Sequence, residues 1–187
     1  EAAEAAVVQC AQADNMTDRA AALAALLRVG GARRDAALAH FEREFANDPL
    51  VLDKWFSMQA TAVRLPGEPA VLDRVKALMR HPAFSIRNPN KVRSLVTAFC
   101  TGNLAEFHLA DGAGYAFWVE QVIALDELNP QVAARLARAL DRWPRFDTPR
   151  ASHMRDALAE VARHPGLSGD VGEIVGKALA AAGAVTD

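Results

Sequence analysis

The sequence predicts an all-α chain, an α-solenoid of about ten helices stacked as antiparallel pairs in the HEAT or armadillo manner. Three observations carry that prediction. The 187 residues are 51% hydrophobic but only 6% aromatic, with much of the balance alanine. Alanine has the best helix propensity, and its small side chain lets helix axes approach. No segment sustains the apolar–polar alternation of a half-buried strand. Finally, Asn88-Pro89-Asn90-Lys91-Val92-Arg93-Ser94-Leu95 is echoed by Asn129-Pro130-Gln131-Val132-Ala133-Ala134-Arg135-Leu136, roughly 40 residues later, a typical two-helix repeat length. In each copy Asn can cap a helix, Pro suits the first helical position, and Arg falls in the second turn.

Taken in order, residues 2–13 form a short helix with Val7, Val8 and Ala11 on one side. Asp14-Asn15-Met16-Thr17-Asp18 supplies turn and cap chemistry for a second helix, which ends at Gly30-Gly31. A third runs from about Arg34 to Ala46 with Ala37, Leu38, Phe41 and Phe45 at helical spacing. Asn47-Asp48-Pro49 breaks it. The fourth helix carries Leu50, Leu52, Trp55, Phe56 and Met58 on more than one face and is expected deep in the stack. After the turn at Leu65–Pro69, a fifth helix carries Val71, Val75 and Leu78 and closes before His81-Pro82.

The helix from Pro89 turns Val92, Leu95, Val96 and Phe99 inward. A short helical turn through Phe107 and a glycine turn at Asp111–Gly114 precede a strongly apolar helix with Tyr115, Phe117, Trp118, Val122 and Leu125. The echo helix spans Pro130 to about Arg142 and ends at Trp143-Pro144. Thr148-Pro149 reads as cap and first position of the next helix, which ends at His164-Pro165. Ser168 caps the last, which carries Val171, Ile174, Val175 and Leu179 and runs out near Gly183.

Several function classes are excluded. A net charge of −2 offers no broad footprint for nucleic acid or an anionic membrane. No apolar run approaches a membrane span, and Glu1-Ala2-Ala3-Glu4 does not resemble a signal peptide. The two cysteines, Cys10 and Cys100, make no metal or redox spacing, so inert thiols and a cytoplasmic setting are expected. None of the five histidines belongs to an H-E-x-x-H helix. Gly112-Ala113-Gly114 does not continue as a dinucleotide loop, and the Gly166–Gly169 segment is no nucleophile elbow. No catalytic residue and no metal or cofactor site is therefore expected in this fragment. Lys91 reads as a plain surface residue, and Arg135, Arg138 and Arg142 fit a solvated helix face. Arg93 and Arg135 stand out because both follow an Asn-Pro start. Equivalent solenoid helices line one concave surface, and a guanidinium fork suits the carbonyls and carboxylates of an extended peptide.

At these residues the chain resembles the C-terminal helical domain of the bacterial aminopeptidase N family, which are gluzincin zinc aminopeptidases. The landmarks are Asn15–Asp18, Asp53-Lys54-Trp55-Phe56 with Gln59-Ala60, Asn88–Leu95, Phe107-His108 with Asp111-Gly112, Asn129–Ala133 and Leu167–Asp170. They span almost the whole chain. The resemblance implies that residues 1–187 are a single helical domain at the end of a larger enzyme that removes N-terminal residues from peptides. Zinc, held by two His and a Glu, would lie in the catalytic domain of the same polypeptide. This domain would cap that one and help enclose its cavity. By the same resemblance Arg93, Gln131 and Arg135 would line the substrate channel and contact peptide. Asn88 and Asn129 are then helix caps, and Trp55, Phe56 and Trp118 are core. The physics of a solenoid alone leaves a second possibility open, a free-standing scaffold that binds a peptide or protein partner. It also leaves a third, in which the arginines merely tie neighbouring helices by salt bridges.

Overall fold

Five helix starts among the described residues are capped by side chains lying within three residues of the amides they accept from. In the computed structural model, which describes residues 1–181, the α-helical segments are α1 (Ala2–Gln12), α2 (Met16–Val29), α3 (Gly31–Glu44), α4 (Pro49–Ala60), α5 (Val71–Leu78), α6 (Pro89–Val92), α7 (Ala98–Gly102), α8 (Leu104–Phe107), α9 (Ala113–Asp126), α10 (Pro130–Ala137), α11 (Thr148–Ala162) and α12 (Gly169–Ala180). A π turn at Arg93–Thr97 joins α6 to α7 as one helix, so the described residues form eleven helices and no strand. This matches the all-α expectation. The end expected near Gly183 lies outside the described residues. Asn15, Asp48, Asn129 and Ser168 each accept a hydrogen bond from an amide of the first turn that follows.

The chain divides into two compact units. The first comprises Glu1–Ser85 with Asn90–Asn103, and the second Ile86–Pro89 with the described chain from Leu104 onward. In the first unit Leu23, Leu26, Phe41, Phe56, Val71, Val75, Leu95 and Phe99 are buried. Complete burial of such a side chain contributes about 1.5–3 kcal/mol. Trp55 packs among them and donates its indole N–H to the Leu38 carbonyl of α3 at 3.1 Å. The buried Asn103 amide donates to the carbonyls of Ala60 and Ala62, both at 3.0 Å, and so satisfies the orphan end of α4.

The second unit is built on α9, whose Tyr115, Phe117, Trp118, Val122 and Leu125 are all buried. Trp118 donates to the Leu136 carbonyl and Trp143 to the Ala178 carbonyl, each at 2.9 Å. The three tryptophans thus share one solution, an apolar body in the core and the N–H spent on a helix carbonyl. At the far end of α9 the buried Asp126 carboxylate accepts from the Ser168 amide at 2.7 Å and its hydroxyl at 2.5 Å. Ser168 Oγ in turn accepts from the Val171 amide. Ser168→Ala removes the cap and one Asp126 partner together, and is expected to cost about 1–2 kcal/mol in urea unfolding.

Several sequence expectations need correction. Leu50 is 69% exposed, because it lies in the first turn of α4, ahead of the packed stretch. The cap of α11 is Asp147 rather than Thr148, since the Asp147 carboxylate accepts the Arg150 amide. The echo helix keeps α geometry only to Ala137 and tightens into 3₁₀ turns at Arg138–Leu140 and Trp143–Arg145.

Candidate functional site

Asn129 organises the start of α10. Its side-chain oxygen accepts from the Val132 amide at 3.3 Å, its own backbone amide donates to the Leu125 carbonyl at 2.7 Å, and Pro130 takes the first helical position. Ala133, Leu136 and Ala137 form the buried face of the helix. Gln131 and Arg135 sit one turn apart on the exposed face, the i, i+4 spacing that places two side chains together. Neither makes a side-chain hydrogen bond or ion pair with another of the described residues. Arg138, by contrast, lies 3.7 Å from the Asp141 carboxylate. Arg135 therefore ties no neighbouring helix among the described residues, contrary to the salt-bridge possibility. Beside the start of α10 lies a hollow of about 120 Å³ lined by Ile86, Arg87, Pro89, Leu125, Leu128, Asn129 and Val132. The two Asn-Pro helix starts thus meet at one place, with Pro89 and Asn129 in its wall.

Arg93, in the first unit, opens the π turn. Its guanidinium is exposed and donates to Asn90 Oδ1 at 3.0 Å. Beneath it the structure overturns the reading of Lys91 as a surface residue. Lys91 is 5% exposed, and its ammonium lies 2.8 Å from Asp53 Oδ1 and 2.9 Å from the Pro49 carbonyl. Ser94 Oγ donates to the Lys91 carbonyl at 3.0 Å and approaches Asp53 at 3.5 Å. Sequence reasoning misses this anchor because its partners lie some forty residues apart, where no local spacing reveals them.

The histidine with the most structured surroundings is His108. Its Nδ1 lies 3.0 Å from the Tyr115 hydroxyl, and Arg150 Nε donates to the His108 carbonyl at 2.6 Å while pairing with Asp147. Burial, and then the Arg150 charge, hold the imidazole below its ordinary pKa. Burial pushes the Tyr115 phenol up to about 12. A depressed histidine pKa means that the unfolded chain binds the proton more readily, so stability is present above the ordinary histidine value and is lost as pH falls through the folded value. Chemical denaturation from pH 7.5 to 5 is therefore expected to show an acid-side loss that His108→Gln diminishes.

Among the described residues, no group of three or more His, Cys, Asp or Glu side chains is placed to hold a metal ion. The zinc implied by the resemblance therefore has no fitting donor set among the described residues. Cys10 and Cys100 are buried and unbridged, and burial raises both thiols. None of the described helices is long and apolar enough to cross a membrane.

A family model described as "Domain of unknown function (DUF3458_C) ARM repeats" matches residues 1–180. The chain is 44% identical to aminopeptidase N of Haemophilus influenzae and 43% to that of Escherichia coli, over 89% and 90% of its length. It spans about a fifth (19%) of the length of these curated relatives. A crystal structure of Legionella pneumophila aminopeptidase A in complex with aspartic acid superposes with a TM-score of 0.87 at 34% identity, over 96% of this chain and 21% of that one. The chain belongs to the DUF3458_C family of ARM-repeat domains.

Proposed function

We propose that this chain, as one helical domain, caps the catalytic domain of a zinc-dependent aminopeptidase in the same polypeptide and lines the channel through which peptides reach it. Gln131 and Arg135, together with Arg93, are the lining residues. The observation that carries this reading is the pair on α10, a glutamine amide and a guanidinium exposed one turn apart with no partner among the described residues. An amide offers both a donor and an acceptor to a peptide backbone. The planar guanidinium fork suits carbonyl and carboxylate oxygens. A satisfied surface pair would have little left to offer a substrate.

In this reading the domain contributes access and orientation rather than a reacting group. A largely enclosed cavity admits short peptides, excludes folded proteins and keeps bulk water from the reacting centre. A zinc ion, if held by two His and a Glu in a catalytic domain of the same polypeptide, would supply Lewis-acid chemistry there, and none of its ligands would come from this domain. Reading the sequence upstream of Glu1 tests the proposal. An in-frame H-E-x-x-H helix with a further glutamate ligand is expected, and chelation is expected to abolish peptide hydrolysis. A start codon beside Glu1 would overturn it and leave a free-standing solenoid that binds a peptide or protein partner.

A further inference from the structure

Beside the first turns of α11 lies a hollow of about 380 Å³, walled by Trp143, Pro144 and Phe146 on one side and by Thr148, Ser152 and Arg155 on the other. That volume is ordinary for a site that takes a small ligand or the end of a peptide. We infer that this hollow binds the C-terminal residue of a peptide, with an apolar side chain against the aromatic wall and the free carboxylate at Arg155.

The aromatic wall is fixed before any ligand arrives. Trp143 is 7% exposed, and its N–H is spent on the Ala178 carbonyl at 2.9 Å, which sets the plane of the indole. The Phe146 ring lies against the His108 imidazole, with centroids 4.4 Å apart. Pro144 is held by its own ring. Apolar surface that is already in place lowers the ordering cost of binding. The polar wall is the reverse, a set of groups with unused capacity. Thr148, Ser152 and Arg155 recur at i, i+4 and i+7, so they share one face of α11. Neither hydroxyl has a partner among the described residues. The Arg155 side chain bonds there only to its neighbour Asp156, through one nitrogen at 3.3 Å, which leaves most of its N–H donors free.

The surrounding charge selects an anion. From Arg142 to Arg155 the chain carries four arginines against one aspartate. That one, Asp147, is already paired with Arg150 and accepts the Arg150 amide. A guanidinium holds a carboxylate through two parallel N–H donors, and the two hydroxyls can donate to the remaining lone pairs. An apolar wall facing a carboxylate clamp matches the last residue of a peptide. An internal residue, whose carbonyl carries no charge, would use only the apolar half. The hollow shares no residue with the proposed channel, so either reading can fail alone.

The probe is N-acetyl-alanyl-phenylalanine, whose blocked amino end keeps it from serving as a substrate for removal of an N-terminal residue. Titration calorimetry compares its binding with that of the same dipeptide as its C-terminal amide, in the 187-residue chain and in the full polypeptide. The free acid is expected to bind at least about tenfold more tightly than the amide in both. Arg155→Gln should abolish that difference and leave binding of the amide as it is. Ser152→Trp, which fills the hollow, should abolish binding of both. Equal affinity for acid and amide, or no binding of the acid, overturns the inference. So does an acid preference that survives Arg155→Gln or Ser152→Trp in the 187-residue chain, since the peptide then sits elsewhere. Binding confined to the 187-residue chain also overturns it, and assigns the hollow to contact with another domain.

Discussion

Lys91→Ala is expected to destabilise the chain by about 3–5 kcal/mol, because it strips the partner from a charge already removed from most of the solvent. An exposed ion pair would cost less than about 1 kcal/mol when broken, so the size of the loss separates a buried anchor from a surface contact. The Lys91 side chain is 6% exposed and that of Asp53 17%. Without the ammonium, the Asp53 carboxylate keeps only the Ser94 hydroxyl, at 3.5 Å, among the contacts described above. The Pro49 carbonyl loses its lysine donor, and the Phe56 ring loses a cation 5.5 Å from its centroid. Urea unfolding reads the loss directly. The double variant Lys91→Met with Asp53→Leu is expected to regain most of it, since replacing both charges by apolar groups removes the uncompensated burial. If the double variant is no more stable than Lys91→Ala, the loss comes from packing and the electrostatic account is wrong.

Gly114→Ala is expected to cost about 3 kcal/mol, at the upper end of ordinary overpacking. A Cβ at Gly114 would lie 2.1 Å from the Phe107 carbonyl oxygen and 3.0 Å from its carbon. These are backbone atoms, so no flexible side-chain end can swing aside. Relief requires α8 to move away from α9. That motion would pull on the fully buried Phe107 and on the adjoining His108–Tyr115 contact. Gly176→Ala is the natural contrast, since a Cβ there meets nothing within 4 Å in a helix interior. It should stabilise the chain by about 0.5–1 kcal/mol. Opposite signs at these two glycines would separate crowding from propensity. A harmless Gly114→Ala would mean that α8 does not press on α9 as described.

The parts of this fold legible in the sequence are those whose causes are local. Asn15, Asp48, Asn129 and Ser168 cap helices whose amides lie two or three residues away, so their role shows in a short window. The apolar runs around Trp55 and Trp118 announce their burial in the same way. Cap competition is harder to read. Asp147 and Thr148 are both good caps, and only the backbone decides that the carboxylate reaches the Arg150 amide. The Lys91–Asp53 pair is invisible in the sequence, because lysine's usual place is the surface and its partner lies on a different helix. The π turn at Arg93–Thr97 has no signal of its own in composition or spacing. For the candidate site, the shared Asn-Pro starts single out Arg93 and Arg135, and the family resemblance adds Gln131. The structure adds that all three are exposed, and that Gln131 and Arg135 stand together without partners among the described residues.

The most direct test of the channel reading is Arg135→Ala in the full polypeptide, with kcat/KM measured for short peptides and for single-residue amides. The account predicts a loss of about 1–2 kcal/mol for peptides, roughly five- to thirtyfold and mainly in KM, with amides little affected and the melting temperature unchanged. A loss of the same size for both substrate classes, or no loss for either, would contradict a channel-lining role for this face of α10.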